Sequence, residues 1–343
     1  MNRQRFDAIT TAYPRLRIAI VGDFCLDRYL EIDPARQETS LETGRPVHNV
    51  VNVRSQPGAA GTILNNLVAL GIGEIFPVGF AGADGEGFEL RRALQAKAGV
   101  KLDYFLQTAE RRTFTYCKPL VLEPGQPPVE LNRLDSKNWT PTPAVVQDQL
   151  IRSVHALAEN ANAIILMDQV DVAETGVVTT ALLKAIADIA AKRPDLLVIA
   201  DSRRGLKGYP AVTFKMNAAE LSALTGAADK LALEEIELLS ASLARRQDRH
   251  VFVTLAERGL LGASPRGQVE HVPALPLRGP IDIVGAGDSV TANLACALAA
   301  GANLRESLSI AAIASSIVIH QLGTTGVATV GEIRDFVPGA ARA

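Results

Sequence analysis

The sequence predicts an α/β protein with a mainly parallel central sheet, helices on both faces and a small additional β-sheet. Short runs of apolar and β-branched residues alternate with longer amphipathic or alanine-rich stretches along most of the 343 residues. Such alternation is typical of three-layer folds, and strands that are buried on both faces read as nearly continuous apolar runs. We therefore expect a three-layer sandwich, with residues 1–343 forming a single domain.

The strand and helix candidates alternate in chain order. The predicted strands are RIAIVGDF (17–24), EIFPVGF (74–80), AIILMD (163–168), LLVIAD (196–201), VTFKM (212–216) and HVFVTLA (250–256). The predicted helices lie near 59–70, 86–98, 143–160, 173–192, 232–247, 288–300 and 305–320. Polar residues stand where strands end, namely Asp23, Asp168, Asp201, Asn217 and Thr254. Because ligands of parallel sheets collect at the carboxyl ends of the strands, this edge is the expected binding site.

Two segments interrupt the alternation. Residues of about 26–56 and 112–135 are β-prone, rich in turn residues and poor in helical pattern. They predict a small sheet over the edge where the strands end. Such a lid would keep water away from a reactive phosphoryl group. A pair of surface hairpins without that role is the alternative.

Composition narrows the class of partner. The formal net charge of -2 shows no basic excess, so it points to neither nucleic acid nor an anionic membrane surface. The 3 cysteines are widely spaced and include no CxxC pair, which argues against a disulfide framework or a zinc site. The uncharged stretch 307–331 has too short an apolar run to cross a bilayer, and the first ten residues lack a signal-peptide core. A cytoplasmic protein with a small-molecule partner is expected.

The stretch DIVGAGDS (282–289) has the residues of an anion site beside a carboxylate. Gly285 and Gly287 permit unusual backbone angles and Ala286 adds little bulk, so successive amides can face one point. A helix that begins near Asp288 adds the positive end of its dipole. An acid at this point suits phosphoryl transfer, as the base that takes a proton from an alcohol. A simple helix cap is the alternative role for Asp288.

The same stretch resembles the D-T-x-G-A-G-D-[ST] signature of the ribokinase-like, or PfkB, carbohydrate kinases. Other stretches resemble further motifs of that family in the family's order: VGDFCLD (21–27), PGAAGTILNNLVALG (57–71), VGFAGADGEG (78–87), KMNAAEL (215–221) and VTLAERG (253–259). GDFCLDRY (22–29) and LGTTGVATVGEI (322–333) are most similar to the heptose-phosphate kinases. The resemblance implies a ribokinase-like fold and ATP- and Mg²⁺-dependent phosphorylation of a sugar hydroxyl. A first strand without GxGxxG argues against a dinucleotide oxidoreductase.

The resemblance also implies roles for individual residues. Asp288 would be the general base, and Gly285, Ala286 and Gly287 would supply the anion hole. The sugar would be surrounded by Asp27, Gly58, Ala59, Thr62 and Asn66, and the nucleotide by Asn217, Thr254, Gly259 and Arg203. Glu220 would act on Mg²⁺ through water, and Asp282 would help to hold a loop for a monovalent cation such as K⁺. For Asn66 the alternative is packing within its helix, and for Arg203 it is a solvated surface position. A homodimer through the lid is the expected assembly.

The chain departs from the family pattern at several positions. Ala59 replaces the second glycine of the amino-terminal motif, Thr62 replaces the asparagine that usually contacts substrate, and Ala256 replaces a glycine of the nucleotide loop. Because Thr has a shorter reach and no amide, we expect a substrate other than ribose, fructose 6-phosphate or adenosine, with a heptose phosphate the leading candidate. The alternative function is a non-catalytic sugar or nucleotide sensor.

Overall fold

A computed structural model describes residues 1–228, 230–323 and 325–338. Its strands are β1 (Arg17–Gly22), β2 (Phe24–Ile32), β3 (Glu38–Thr39), β4 (Pro46–Val47), β5 (Val50–Ala59), β6 (Glu74–Gly82), β7 (Phe105–Thr108), β8 (Thr115–Val121), β9 (Val129–Glu130), β10 (Leu134–Ser136), β11 (Ala163–Asp168), β12 (Leu197–Ser202), β13 (Thr213–Asn217), β14 (Val251–Thr254), β15 (Leu260–Ala263) and β16 (Val269–Val272). Its helices are α1 (Arg3–Thr10), α2 (Ala60–Ala69), α3 (Gly85–Gln95), α4 (Ala144–Ala158), α5 (Thr180–Lys192), α6 (Ala218–Thr225), α7 (Leu233–Gln247), α8 (Ala286–Ala299), α9 (Leu304–Val318) and α10 (Val330–Phe336). Residue 324 of the motif 322–333 and the last five residues of the expected domain lie outside the described part.

The central sheet has the strand order β16-β15-β14-β13-β12-β11-β1-β6-β7. Neighbours from β14 through to β7 pair in parallel, whereas β14, β15 and β16 pair antiparallel. The carboxyl ends of the parallel strands therefore share one edge. Along that edge Asp168 pairs in register with Ser202, and Asn217 pairs with Thr254.

Apolar residues cover both faces of this sheet. Ile18 and Ile20 of β1 belong to one buried cluster, together with residues of α1, α2, α3, α8 and α9. Ala19 and Val21 belong to a second cluster, together with residues of α4, α5, α6 and α7. Successive side chains of a strand point to opposite faces, so β1 is buried from both sides. This is the three-layer α/β sandwich that the sequence predicts.

A second sheet begins at the edge of the first sheet where the parallel strands end. Asp23 alone separates β1 from β2, so the chain passes directly from one sheet into the other. The order of this sheet is β10-β8-β2-β5, with β9 paired to β8. β2 pairs antiparallel with β5 and parallel with β8. The side chains at the start of β2 are thereby held above the edge of the central sheet.

Several elements differ from the sequence prediction. The helix expected over 173–192 begins only at Thr180, because Thr179 caps it by accepting a hydrogen bond from the amide of Leu182. The segment before it is a loop in which the amide of Val177 donates to Asp23 at 2.7 Å. The short strands β15 and β16 and the helix α6 have too few residues to show a clear period. Within the described residues, no helix is long and apolar enough to cross a membrane.

Candidate active site

The amino terminus of α8 forms one wall of the candidate site. Gly285 precedes the helix with a φ of 84°, a left-handed conformation that favours glycine. The amide of Ala286 donates to the carbonyl of Ile283 at 3.2 Å, so it is already used. Within the described residues, the amides of Gly287 and Asp288 have no backbone acceptor. These amides at the positive end of a helix remain available for an anion.

Gly287 is small for a reason other than the one that its sequence motif suggests. Its backbone has no positive φ, so the expectation of an unusual backbone angle is wrong at this position. A Cβ at Gly287 would lie 3.1 Å from Nζ of Lys215, closer than most real Cβ contacts. The glycine therefore leaves room for a lysine ammonium group beside the helix terminus.

Asp288 is partly buried in the first turn of α8. Among the described residues its carboxylate accepts no hydrogen bond, so it does not act as a cap. Its pKa is raised to about 7, chiefly by burial and next by the charge of Asp201, while the ammonium of Lys215 opposes both effects. The charge of Asp27 makes a smaller contribution in the same direction as Asp201. A carboxylate with a pKa near neutrality can exchange a proton with an alcohol.

A buried polar network lies beside Asp288. Nζ of Lys215 donates to Oδ2 of Asp201 at 2.7 Å, and both residues are buried. The hydroxyl of Thr291 in α8 lies 2.9 Å from the same carboxylate oxygen and 3.1 Å from the carbonyl of Gly287. The network therefore ties the carboxyl ends of β12 and β13 to the start of α8.

The predicted sugar-binding residues Asp27 and Gly58 are brought together by the pairing of β2 with β5. A Cβ at Gly58 would lie only 2.4 Å from Oδ2 of Asp27, so a side chain there would displace the carboxylate. Asp27 is buried, and Nζ of Lys118 from β8 lies 3.7 Å from its Oδ1. Burial raises the pKa of Asp27, an effect that Lys118 opposes. This carboxylate can accept hydrogen bonds from sugar hydroxyls.

The next predicted sugar-binding residues lie at the start of α2. Ala59 has a φ of 54°, which strains any residue other than glycine. Thr62 is buried, and its Cγ2 lies 3.5 Å from the position that a Cβ at Gly285 would occupy. Asn66 is fully buried and donates to the carbonyl of Thr62 at 3.0 Å. This hydrogen bond fits the packing alternative for Asn66, whereas its buried Oδ1 has no hydrogen-bond partner among the described residues. Thr62 reaches the start of α8 from the same helix.

Two of the residues predicted on the nucleotide side, Asn217 and Glu220, form a reciprocal cap on α6. Oδ1 of Asn217 accepts from the amide of Glu220 at 2.9 Å, and Oε2 of Glu220 accepts from the amide of Asn217 at 2.7 Å. No group of three His, Cys, Asp or Glu residues in the described ranges could enclose a metal. The second oxygen of Glu220 accepts no hydrogen bond within those ranges, so it remains available to a ligand.

The remaining predicted nucleotide-side residues are Thr254, Gly259 and Arg203, of which Thr254 pairs in register with Leu260, the residue after Gly259. Thr254 ends β14 beside Asn217, and its hydroxyl lies 3.5 Å from the carbonyl of Met216. Gly259 has a φ of 95° and lies so close to the carbonyl of Val272 that no side chain would fit. Arg203 is exposed and pairs with Asp171 at 3.4 Å. Its charge also lowers the pKa of the Tyr116 hydroxyl in the second sheet.

The loops around α8 complete the site. Oδ1 of Asp282 accepts from the amide of Val284 at 3.0 Å, and the amide of Asp282 donates to the carbonyl of Ile319. Thr325 lies close to Gly285, and its hydroxyl accepts from the amide group of Gln56 in β5 at 3.0 Å. Asp282 therefore shapes the turn before the helix, and the 322–333 motif connects that turn to the second sheet.

Sequence reasoning missed the lysines of the site. Lys215 and Lys118 are both absent from the predicted set, although each lies beside a predicted carboxylate. A single charge within the apolar run VTFKM was the available signal for Lys215. Asp23, by contrast, was noted at a strand end, and its carboxylate accepts from three backbone amides of the loop after β11. It therefore fixes that loop.

Comparison with known proteins adds an independent finding. Residues 17–329 match the family described as "pfkB family carbohydrate kinase". The chain belongs to this family. The bifunctional protein HldE of Azorhizobium caulinodans is 32% identical to this pfkB kinase over 92% of the chain and 63% of the relative. The protein of the same name from Nitrobacter winogradskyi is 30% identical over 98% of the chain and 67% of the relative. The chain thus spans about two thirds of the length of these curated relatives.

Solved structures share the fold of this pfkB kinase. Ribokinase of Arabidopsis thaliana, solved with ribose and ATP, superposes with a TM-score of 0.64 at 20% identity and covers 94% of this chain and 99% of its own. Phosphofructokinase-2 of Escherichia coli, solved with potassium, gives a TM-score of 0.69 at 17% identity over 93% of this chain and 97% of its own. The predicted ribokinase-like fold and the predicted class of carbohydrate kinase are confirmed.

Proposed function

We propose that this pfkB kinase transfers the γ-phosphoryl group of ATP to a hydroxyl of a sugar phosphate, with Asp288 as the general base. The observation that carries the proposal is the carboxylate of Asp288, which accepts no hydrogen bond within the described residues, beside the amides of Gly287 and Asp288, which have no acceptor there. A base and an anion site are thereby joined in one helical turn. The charge of Asp27 raises the pKa of Asp288. Asp27 would bind the sugar in the same site.

The reaction follows from these groups. The sugar hydroxyl gives its proton to the carboxylate of Asp288 while its oxygen forms a bond to the γ-phosphorus. The bond from that phosphorus to the oxygen bridging it to the β-phosphate breaks, and the electron pair leaves with ADP. The amides of Gly287 and Asp288 donate to the phosphoryl oxygens, where charge is highest during transfer. Oriented donors need no rearrangement as the charge develops.

Mg²⁺, when bound with ATP, would neutralise phosphate charge. Glu220 would hold the hydrated ion, since one of its carboxylate oxygens is unused by the helix cap. Asn217 and Thr254 would line the nucleotide beside it. Asp282 would order the turn at which a monovalent cation such as K⁺ could bind, and the rate in potassium chloride against sodium chloride tests that role.

A heptose phosphate is the proposed substrate. The support comes from the motif similarity, from the HldE relatives and from Thr62, which replaces an asparagine beside the anion site. Basic side chains also face the sugar side: Lys118 contacts Asp27, and the charge of Arg133 acts on the same carboxylate. Such cations can donate hydrogen bonds to the phosphate group that a sugar phosphate already carries.

A screen for ADP release tests the proposal. Sugars, sugar phosphates, sugar acids and nucleosides are offered with ATP and Mg²⁺, and mass spectrometry identifies any product that gains a phosphoryl group. We expect a heptose phosphate to be the most efficient acceptor and the Asp288→Asn variant to form product at least about 10²-fold more slowly in the same assay. Binding of sugar and nucleotide without any phosphorylated product would instead support the sensor alternative.

We also propose that two copies associate through the second sheet. Its edge strand β5 exposes Val51 and Val53, and β9 and β10, beyond β2 and β8, expose Val129 and Leu134. Unpaired edge strands and exposed apolar groups favour association. Sedimentation velocity should show a dimer, and a Val51→Glu, Val53→Glu variant should be monomeric. Leu238→Glu, at an exposed apolar position on α7, is the control that should remain dimeric.

A further inference from the structure

Lys215 occupies a position that stability alone does not explain. It lies between Phe214 and Met216 on β13, an interior strand of the central sheet, and only 7% of its surface is exposed. Burying a lysine ammonium is costly unless the charge is fully satisfied. A well-packed apolar residue at this position would serve folding as well or better.

The ammonium group has unused hydrogen-bonding capacity. A lysine ammonium has three N–H donors, and within the described residues that of Lys215 makes one hydrogen bond, to Oδ2 of Asp201 at 2.7 Å. Burial lowers the pKa of Lys215, but the charge of Asp201 and, to a smaller extent, those of Asp288 and Glu220 raise it above the usual value. The group is therefore a cation with donors to spare.

The free donors lie where phosphoryl oxygens are expected. A Cβ at Gly287 would be 3.1 Å from Nζ, which places the ammonium beside the free amides of Gly287 and Asp288. The charges of Asp288, the proposed base, and of Glu220, the proposed metal-side carboxylate, both raise the pKa of this ammonium group. Thr291 holds the partner carboxylate of Asp201 in place at 2.9 Å.

We propose that Lys215 is a catalytic residue whose ammonium contacts the γ-phosphoryl group of bound ATP and stays in contact with it through transfer. This rests on the proposed kinase function and deepens it. The sugar proton still goes to Asp288, and the bridging electron pair still leaves with ADP. Lys215 keeps its protons and offsets the negative charge on the phosphoryl oxygens, in the way that lysines serve at other phosphate sites.

The test compares the affinities for ATP and for ADP in the Lys215→Met variant by calorimetry with Mg²⁺. A hydrogen bond to a charged group contributes about 1.5–3 kcal/mol, so ATP should bind roughly 10- to 100-fold more weakly while ADP binding changes little. The turnover number should fall by about 10²-fold, the order found when one oriented donor is lost. Lys215→Arg should retain more of the preference for ATP than Lys215→Met, because it keeps the charge.

Controls separate this role from a structural one. Arg204→Met breaks another ion pair at the strand ends, with the buried Asp168 at 2.7 Å, and should lower the melting temperature without changing the ratio of the two affinities. If Lys215→Met does not fold, the double variant Asp201→Asn, Lys215→Met removes the buried charges together and is measured instead.

An unchanged ratio of ATP to ADP affinity in a folded variant would overturn the proposal for Lys215. In that case the wild-type screen would still stand as the test of the kinase function. If the wild-type protein bound nucleotide but phosphorylated no sugar, the proposed function would fail independently of Lys215.

Discussion

Gly58 and Asp27 are in direct contact across the β5–β2 pair, where a Cβ on the glycine would lie 2.4 Å from a carboxylate oxygen. The same Cβ would lie 2.8 Å from Sγ of Cys25. No side chain fits this space unless Asp27 moves. The glycine therefore fixes the position of the proposed sugar-binding carboxylate.

The first prediction concerns this contact. Gly58→Ala should raise the KM for the sugar more than it lowers kcat, because the carboxylate is displaced while Asp288 is untouched. One lost hydrogen bond to a charged group is worth about 1.5–3 kcal/mol, or roughly a 10- to 100-fold rise in KM. Gly85→Ala is the matched control, since a Cβ there meets nothing within 4 Å. Equal kinetics for the two variants would contradict the role of Gly58.

A second prediction concerns two alanines that replace family glycines. Ala59 and Ala256 have φ angles of 54° and 52°, so both keep the backbone conformation of the glycine and bear the strain of a side chain there. Ala59→Gly and Ala256→Gly should each increase the free energy of unfolding by about 1 kcal/mol. Denaturant titration measures the change. Ala96→Gly, at a φ of -73°, should not stabilise, and a similar gain there would show that strain is not the cause.

The pKa of Asp288 gives a third prediction. Because its pKa is raised from 3.8 to about 7, the folded protein binds a proton that the unfolded chain has released between those values. Ionising Asp288 therefore costs stability, and the cost grows as the pH rises through that range. Asp288→Asn should accordingly melt at a higher temperature than wild type at pH 8, with little difference near pH 4. Equal differences at both pH values would argue against the raised pKa, to which Asp201, Lys215 and Asp27 contribute.

The fourth prediction concerns substrate choice. Thr62 contacts the position of Gly285 through its methyl group, and an asparagine would bring an amide to the same place. Thr62→Asn should raise kcat/KM for a conventional sugar such as ribose relative to a heptose phosphate. Competition between the two acceptors, with products separated by mass, measures the shift. Efficient use of ribose by the wild type, with no change in preference at position 62, would refute this account of specificity.

Much of the fold could be predicted because its signal is local. Apolar runs such as AIILMD and the helical stretches between them specify a parallel sheet covered on both faces, and the glycine pair before Asp288 indicates an anion site. The motif similarity then places most residues of the site in chain order. β15 and β16 gave no such signal, because short antiparallel edge strands depend on their pairing partners.

The remaining features depend on contacts between residues that are distant in the sequence. Lys215 meets Gly287 only after β13 and α8 pack together, so a lone lysine in an apolar strand could not be assigned. The same contact explains why residue 287 must be small. The φ angle of Gly287 does not explain it, because that angle is not positive. The amide nitrogen of Asn66 donates to the carbonyl of Thr62 in the folded chain, a contact that its motif does not specify.

The central claim is that Asp288 is the general base, and the turnover of Asp288→Asn tests it most directly. With saturating ATP, Mg²⁺ and the acceptor found in the screen, kcat should fall by about 10²–10⁴-fold, the usual contribution of a positioned base. ATP affinity and the folded state at pH 7 should be retained, because among the described residues no hydrogen bond to this carboxylate holds the helix. A variant that keeps near-normal kcat on the true substrate would contradict the account.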